Sequence, residues 1–164
     1  MTALSYTFPN DFIWGAATAA HQIEGNNVSS DWWAREHSPN TDLSEASNDA
    51  CDSYNRFEED IRLLAASGLR MYRFSIEWAR IEPECGCFSK AQLLHYRRMI
   101  DTCRQYGVEP MVTLYHMTLP LWFAEQGGWR RADAVERFRR YIEYVLPILH
   151  DVTWVCTLNE PNMV

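Results

Sequence analysis

Four strand-like runs, separated by stretches with helical spacing, constrain this chain more than any single residue does. They are "FIWGAAT" from Phe12 to Thr18, "LRMYRFSI" from Leu69 to Ile76, "EPMVTLY" from Glu109 to Tyr115 and "VTWVCTL" from Val152 to Leu158. Between the second and third, Leu93, Tyr96, Met99, Ile100 and Cys103 form one apolar stripe that Gly107 ends. Between the first and second, Tyr54, Phe57, Ile61 and Leu64 recur at helical spacing, with Gly68 as the stop. A third pattern, from about Asp133 to Val145, turns Phe138, Tyr141, Ile142 and Val145 inward. Ser89 with Gln92, and Asp133 with Glu136, have the spacing of helix-capping pairs. The polar segment from Asn26 to Asn48 reads as a long loop.

Continuously apolar strands alternating with amphipathic helices imply parallel strands covered by helices. The later strands recur at about 40 residues and no low-complexity linker interrupts them, so residues 1–164 read as one unit. Two architectures fit: an open doubly wound sheet, or part of a (β/α)₈ barrel. No strand is followed by a glycine-rich dinucleotide or phosphate-binding motif.

Composition excludes some function classes. The 164 residues carry a formal net charge of -7, which disfavours a nucleic-acid partner because a phosphate backbone needs a basic stripe. No apolar run reaches the roughly 18 residues that a membrane span needs. The five cysteines (51, 85, 87, 103 and 156) are odd in number and irregular in spacing, so no disulfide framework is expected. Cys85 and Cys87 are too close for the usual zinc knuckle and lack a second pair, and Cys156 reads as a small core residue. No cofactor and no metal are expected. The start has no basic segment followed by an apolar one, so no signal peptide is expected, and reduced cysteines then point to the cytoplasm.

In parallel sheets and barrels the C-terminal strand ends line the ligand site. Reading outward from each run collects Gln22 and Glu24, then Glu77 and Trp78, then His116, then Asn159 and Glu160, with Arg73 inside the second run. Singly, Asn159 could cap a turn, His116 could be a core histidine and Arg73 could be half of an ion pair. Jointly, amides, an imidazole, carboxylates and a guanidinium at one mouth suit a polar, hydroxyl-rich ligand.

The stretches "FPNDFIWGAATAAHQIEG", "YNRFEEDIRLLAASGLRMYRFSIEWARIEP", "YGVEPMVTLYH" and "TLNEPN" cover nearly the whole chain in order. In them the sequence resembles the N-terminal part of family 1 glycoside hydrolases, the retaining β-glucosidase and β-glycosidase group. The resemblance implies the N-terminal half of a (β/α)₈ barrel and hydrolysis of β-glucosides or related β-glycosides. By resemblance, Glu160 is the general acid/base, Asn159 holds the sugar 2-hydroxyl, and Gln22 and His116 bind sugar hydroxyls. Arg73 supports the nucleophilic carboxylate in its ionised form. The partner implied is a β-glycoside or oligosaccharide.

Two departures stand out. Many family members have Trp-Asp after the histidine, whereas Met117 and Thr118 follow His116; Trp122 or Trp129 is expected to replace the indole. The family's nucleophile motif has no counterpart, and Glu24, Glu77 and Glu82 lie in other contexts. A full barrel typically needs about 250 residues. The expectation is therefore a half-barrel without its C-terminal half, inactive or weakly active alone, that self-associates or pairs with a complementary half. The alternatives are a non-catalytic sugar-binding module and, among enzymes, a retaining endoglucanase of another (β/α)₈ family.

Overall fold

The structure, a computed structural model, describes residues 7–163. The chain runs β1 (Gly15–Ala17), α1 (Ala20–Ile23), α2 (Asp31–Glu36), α3 (Ser53–Ala66), β2 (Met71–Ser75), α4 (Trp78–Ile81), α5 (Lys90–Gln105), β3 (Glu109–Tyr115), α6 (Leu121–Glu125), α7 (Ala134–Val145) and β4 (Trp154–Leu158). Short 3₁₀ turns occupy Gly128–Arg130, Leu146–Ile148 and Pro161–Met163. Among the described residues no helix is long and apolar enough to cross a membrane.

The four strands are parallel and lie side by side in chain order, β1-β2-β3-β4. That order decides between the two architectures left open by the sequence. A doubly wound sheet reverses direction at a switch point, whereas a barrel adds each strand to the same edge. This sheet never reverses and is a partial (β/α) barrel.

Side-chain alternation then sorts the strands. Tyr72 and Phe74 of β2 and Val112 and Leu114 of β3 are buried beneath the helices. They pack with Ile61 of α3, Tyr96 and Ile100 of α5, and Tyr141 and Val145 of α7. Trp78 is the hub of the upper core, with Phe123, Trp129, Phe138 and Tyr141 around its indole. The indole N–H donates to the buried Glu82 carboxylate at 2.9 Å, which satisfies the one polar atom of a fully buried ring. The opposite face carries Arg73 and Met111 in register, followed by Trp154. That face is not covered: Trp154 is 48% exposed, and Phe12, Ile13 and Trp14 are exposed beside β1.

A buried polar link joins the ends of the first three strands. The Glu24 carboxylate accepts from Arg80 at 2.8 Å and from the Tyr96 hydroxyl at 3.1 Å. The Glu77 carboxylate caps α4 through the Ala79 amide at 3.1 Å and accepts from the Thr118 hydroxyl at 2.7 Å. Burial raises Glu24 to about 6, against the Arg80 charge and the Tyr96 bond. Burial raises Glu77 to about 7, against the bonds from Thr118 and the Ala79 amide.

Several local expectations change. The segment from Asn26 to Asn48 contains a helix, α2, capped by the Ser30 hydroxyl accepting from the Trp33 amide at 3.1 Å. Gln22 sits on a short helix, α1, and Glu24 is its C-cap. Ser89 does cap α5, but Gln92 accepts from Tyr54 at 3.0 Å and does not return to Ser89, whose own amide is bonded to Ile81. Asp133 makes no cap bond; Arg131 and Arg137 engage it, and Glu136 pairs with Arg139. Cys156 is only partly buried, on the open edge strand.

A raised native pKa means that the folded chain holds a proton which the unfolded chain has released. Glu77 therefore contributes stability below 4.5 that is lost as pH rises through about 7. Glutamine mimics the neutral acid, so Glu77→Gln should match the wild type near pH 4.5 and unfold at a higher temperature than it at pH 8. Melting curves across that range check this; parallel pH profiles for the two proteins contradict it.

Candidate active site

The strand ends on one side of the sheet deliver side chains to one open concavity of about 280 Å³. It is lined by Ala19, His21, Gln22, Trp32, His116, Met117, Thr118, Asn159 and Glu160. The volume lies just under the roughly 300 Å³ at which small-molecule pockets begin, which suits a single small polar ring.

Each wall has a local cause. Gln22 and His21 stand on α1, whose first amide is held by the Ser75 hydroxyl at 2.7 Å, tying the helix to the end of β2. His21 Nε2 meets the Glu36 carboxylate at 2.9 Å and its Nδ1 meets the Asn27 amide at 3.3 Å, so both ring nitrogens are engaged. The Glu36 carboxyl is pushed up by burial, but its bonds from Ser47 and His21 outweigh this and hold it below the usual range. Trp32 enters from α2, which the Asp31 carboxylate fastens to the Leu119 amide at 2.8 Å.

His116 follows β3 directly. Its Nδ1 is buried and has no hydrogen-bond partner among the described residues. Burial lowers the imidazole below its usual 6.5, the nearby Arg73 charge lowers it further, and Glu160 opposes both. A neutral imidazole can accept at one nitrogen and donate at the other, which matches a hydroxyl group. Met117 has φ 70 and Glu160 has φ 46, left-handed values that cost a non-glycine residue about 1–3 kcal/mol in sparsely populated conformations. Two such residues lie on the walls of one concavity, each immediately after a ligand-type side chain.

Asn159 extends the ladder, its amide donating to the Tyr115 carbonyl at 2.9 Å. Arg73, half-buried on β2, donates from Nε to the Thr113 hydroxyl at 2.8 Å and from Nη2 to Asn159 Oδ1 at 2.8 Å. The Asn159 carbonyl is thereby occupied and its NH₂ is left to donate.

Of the residues expected from the sequence, Gln22, His116, Asn159 and Glu160 meet at the concavity, and Arg73 stands behind them. Glu24 and Glu77 are not there; both are consumed in the buried link. Trp122 is not there either. Its indole donates to the Glu82 carbonyl at 2.8 Å and packs on Trp78. The aromatic wall is Trp32, on a helix in the segment expected as loop; Ser30, which caps that helix, was the available signal. Among the described residues Glu160 is the one carboxylate lining the concavity.

A sequence profile of the family described as Glycosyl hydrolase family 1 matches residues 4–164. The chain belongs to that family. It is 41% identical over 167 residues to β-glucosidase A of Acetivibrio thermocellus, covering 96% of this chain and 37% of that protein. Among solved structures, a β-glycosidase superposes with TM-score 0.91 at 53% identity, covering 94% of this chain and 37% of the other. A family 1 β-glucosidase from Thermotoga maritima superposes with TM-score 0.88 at 39% identity, over 94% and 37% of the two chains. The chain thus spans little more than a third of the length of these family 1 relatives.

Because burial and the Arg73 charge both disfavour the imidazolium, His116 should titrate below 6.5 by NMR, and Arg73→Met should move that titration upward. A His116 titration at or above 6.5 in the wild type contradicts this arrangement.

Proposed function

We propose that this chain supplies the acid/base half of a retaining β-glycosidase site, with residues 1–164 acting as the N-terminal half-barrel of a catalytic domain. The supporting observation is the meeting of Gln22, His116, Asn159 and Glu160 in one concavity. Glu160 protonates the departing glycosidic oxygen while a nucleophilic carboxylate attacks the anomeric carbon; afterwards Glu160 takes a proton from the water that releases the sugar. Gln22 and His116 hold sugar hydroxyls, and the free NH₂ of Asn159 donates to the hydroxyl beside the anomeric carbon. Trp32 offers an apolar wall for stacking, in place of the indole expected at Trp122.

Retention requires two carboxyl groups about 5–5.5 Å apart. Glu160 is the only one at the concavity among the described residues, so the nucleophile has to come from the portion of a family 1 barrel that this chain does not span. Arg73, close behind Asn159, is placed to favour the ionised form of a carboxylate arriving there. The substrate class is a β-glucoside or a related β-glycoside, as the likeness to a β-glucosidase and a β-glycosidase suggests.

A second reading, a half-barrel that binds sugar or assembles without turnover, is favoured by one observation. Among the described residues β1 and β4 are edge strands, and the exposed Phe12, Ile13 and Trp154 leave the inner face open.

An aryl β-glucoside assay separates the readings. The chain alone should show no turnover. Mixed with a chain carrying the C-terminal half of a family 1 relative, it should hydrolyse the substrate, and Glu160→Gln should reduce that rate by about 10²–10⁴-fold. Saturable sugar binding by the mixture with no turnover supports the second reading and contradicts the first.

A further inference from the structure

The loop between α4 and α5 carries a pair of thiols that the glycosidase reading does not use. Glu84, Cys85, Gly86 and Cys87 form a tight turn, closed by the Cys87 amide donating to the Glu84 carbonyl at 2.9 Å. Gly86 has φ +81, the left-handed value that such a turn requires at its third residue. The turn is fixed from below. The Gly86 amide donates to the buried Glu82 carboxylate at 2.8 Å, which Trp78 and Arg140 also hold.

Both thiols are free and exposed. One residue separates them, so their Cα atoms are at most about 7 Å apart even in extended chain. That reach overlaps the roughly 4.4–6.8 Å range in which disulfides form, and the turn keeps the chain short of full extension. Arg137 of α7 donates from Nη1 to Cys85 Sγ at 3.0 Å. Its guanidinium is held in place by Asp133 at 2.7 Å and lies 5.4 Å over the Trp122 ring. Thiolate is the attacking species in disulfide exchange, and here a fixed guanidinium stands within hydrogen-bond distance of the sulfur that would attack. The other cysteines lack this combination. Cys103 is buried, its thiol pushed up to about 12 by that burial, and Cys156 is half-buried. Cys51 is exposed, but among the described residues no hydrogen bond reaches its sulfur.

We infer that Cys85 and Cys87 form a thiol–disulfide exchange site that reacts with small disulfides of the glutathione class. Cys85 attacks one sulfur of the small disulfide, forming a mixed disulfide and releasing one small thiolate. Cys87 then attacks the Cys85 sulfur, forming the Cys85–Cys87 bond and releasing the second. The two protein thiols lose two electrons, the small disulfide gains them, and the two protons leave with the released thiols. Neither cysteine lines the concavity, so the site is separate from the sugar site.

Peptide mapping by mass spectrometry after incubation of the reduced protein with glutathione disulfide tests this. The expected product is a Cys85–Cys87 link, lighter by two hydrogens, formed several-fold faster than any adduct on Cys51. Cys87→Ser should trap glutathione on Cys85 as a stable mixed disulfide. Arg137→Gln, at a half-buried position of α7, should slow the reaction at Cys85 several-fold and leave Cys51 unchanged. Separate adducts on Cys85 and Cys87 without a link, or equal rates at Cys85 and Cys51, overturn the inference. An Arg137→Gln variant as fast as the wild type overturns the role given to the guanidinium.

Discussion

The guanidinium of Arg73 joins β2 to the Thr113 hydroxyl of β3 and to the Asn159 amide that follows β4. Parallel neighbours alone place these strands side by side, but they do not orient a side chain beyond the last ladder bond. The Arg73 fork does so: it consumes the Asn159 carbonyl, fixes which way the amide faces and sets a positive charge beneath the concavity. Burial and that charge both lower the His116 imidazole below its usual value, and Glu160 opposes them. Replacing the arginine would remove the tether and leave the Thr113 hydroxyl, fully buried, without that partner.

The two faces of the sheet are in different states of completion. The helix-covered face is packed to near-zero exposure from Ile61 to Val145 and could be the face of any closed domain. The inner face carries Met71, Met111 and Trp154 around a shallow open groove with Phe12 and Ile13. Phe8, Phe12 and Trp14 stack on one another at ring separations of 4.6–4.9 Å, an aromatic cluster exposed beside the β1 edge. Large exposed apolar patches mark interaction surfaces or aggregation liabilities. Here, among the described residues, they lie beside the outer strands β1 and β4 of the sheet.

Much of this was legible in the sequence because it is carried by local pattern. The third strand is found where its run of apolar and β-branched residues lies, Glu109–Tyr115, and the stripes of α3, α5 and α7 face the core as their spacing predicts. The strand-end rule alone brought Gln22, His116, Asn159 and Glu160 to one rim. What was hidden depends on partners far away in the chain. Glu77 looked like a site carboxylate because it follows a strand, yet it is bonded to Thr118, 41 residues on. That pair also gives Thr118 a role: its hydroxyl donates to a buried acid. Gln92 and Asp133 had the spacing of caps but found stronger partners in Tyr54 and in Arg131 and Arg137. Helix α2 has no fully buried residue, so no apolar stripe announced it, and Trp32 was lost with it.

If the concavity is the half-site proposed for a sugar ring, it should bind one without any further chain. Amide NMR of the chain, titrated to millimolar levels with a gluco-configured polyhydroxylated amine, tests it most directly. Saturable shifts are expected, confined to His21 and Gln22, Trp32, His116 to Thr118, and Asn159 and Glu160. Shifts centred instead on Phe12, Met111 and Trp154 at the opposite end of the strands, or none at all, would contradict it.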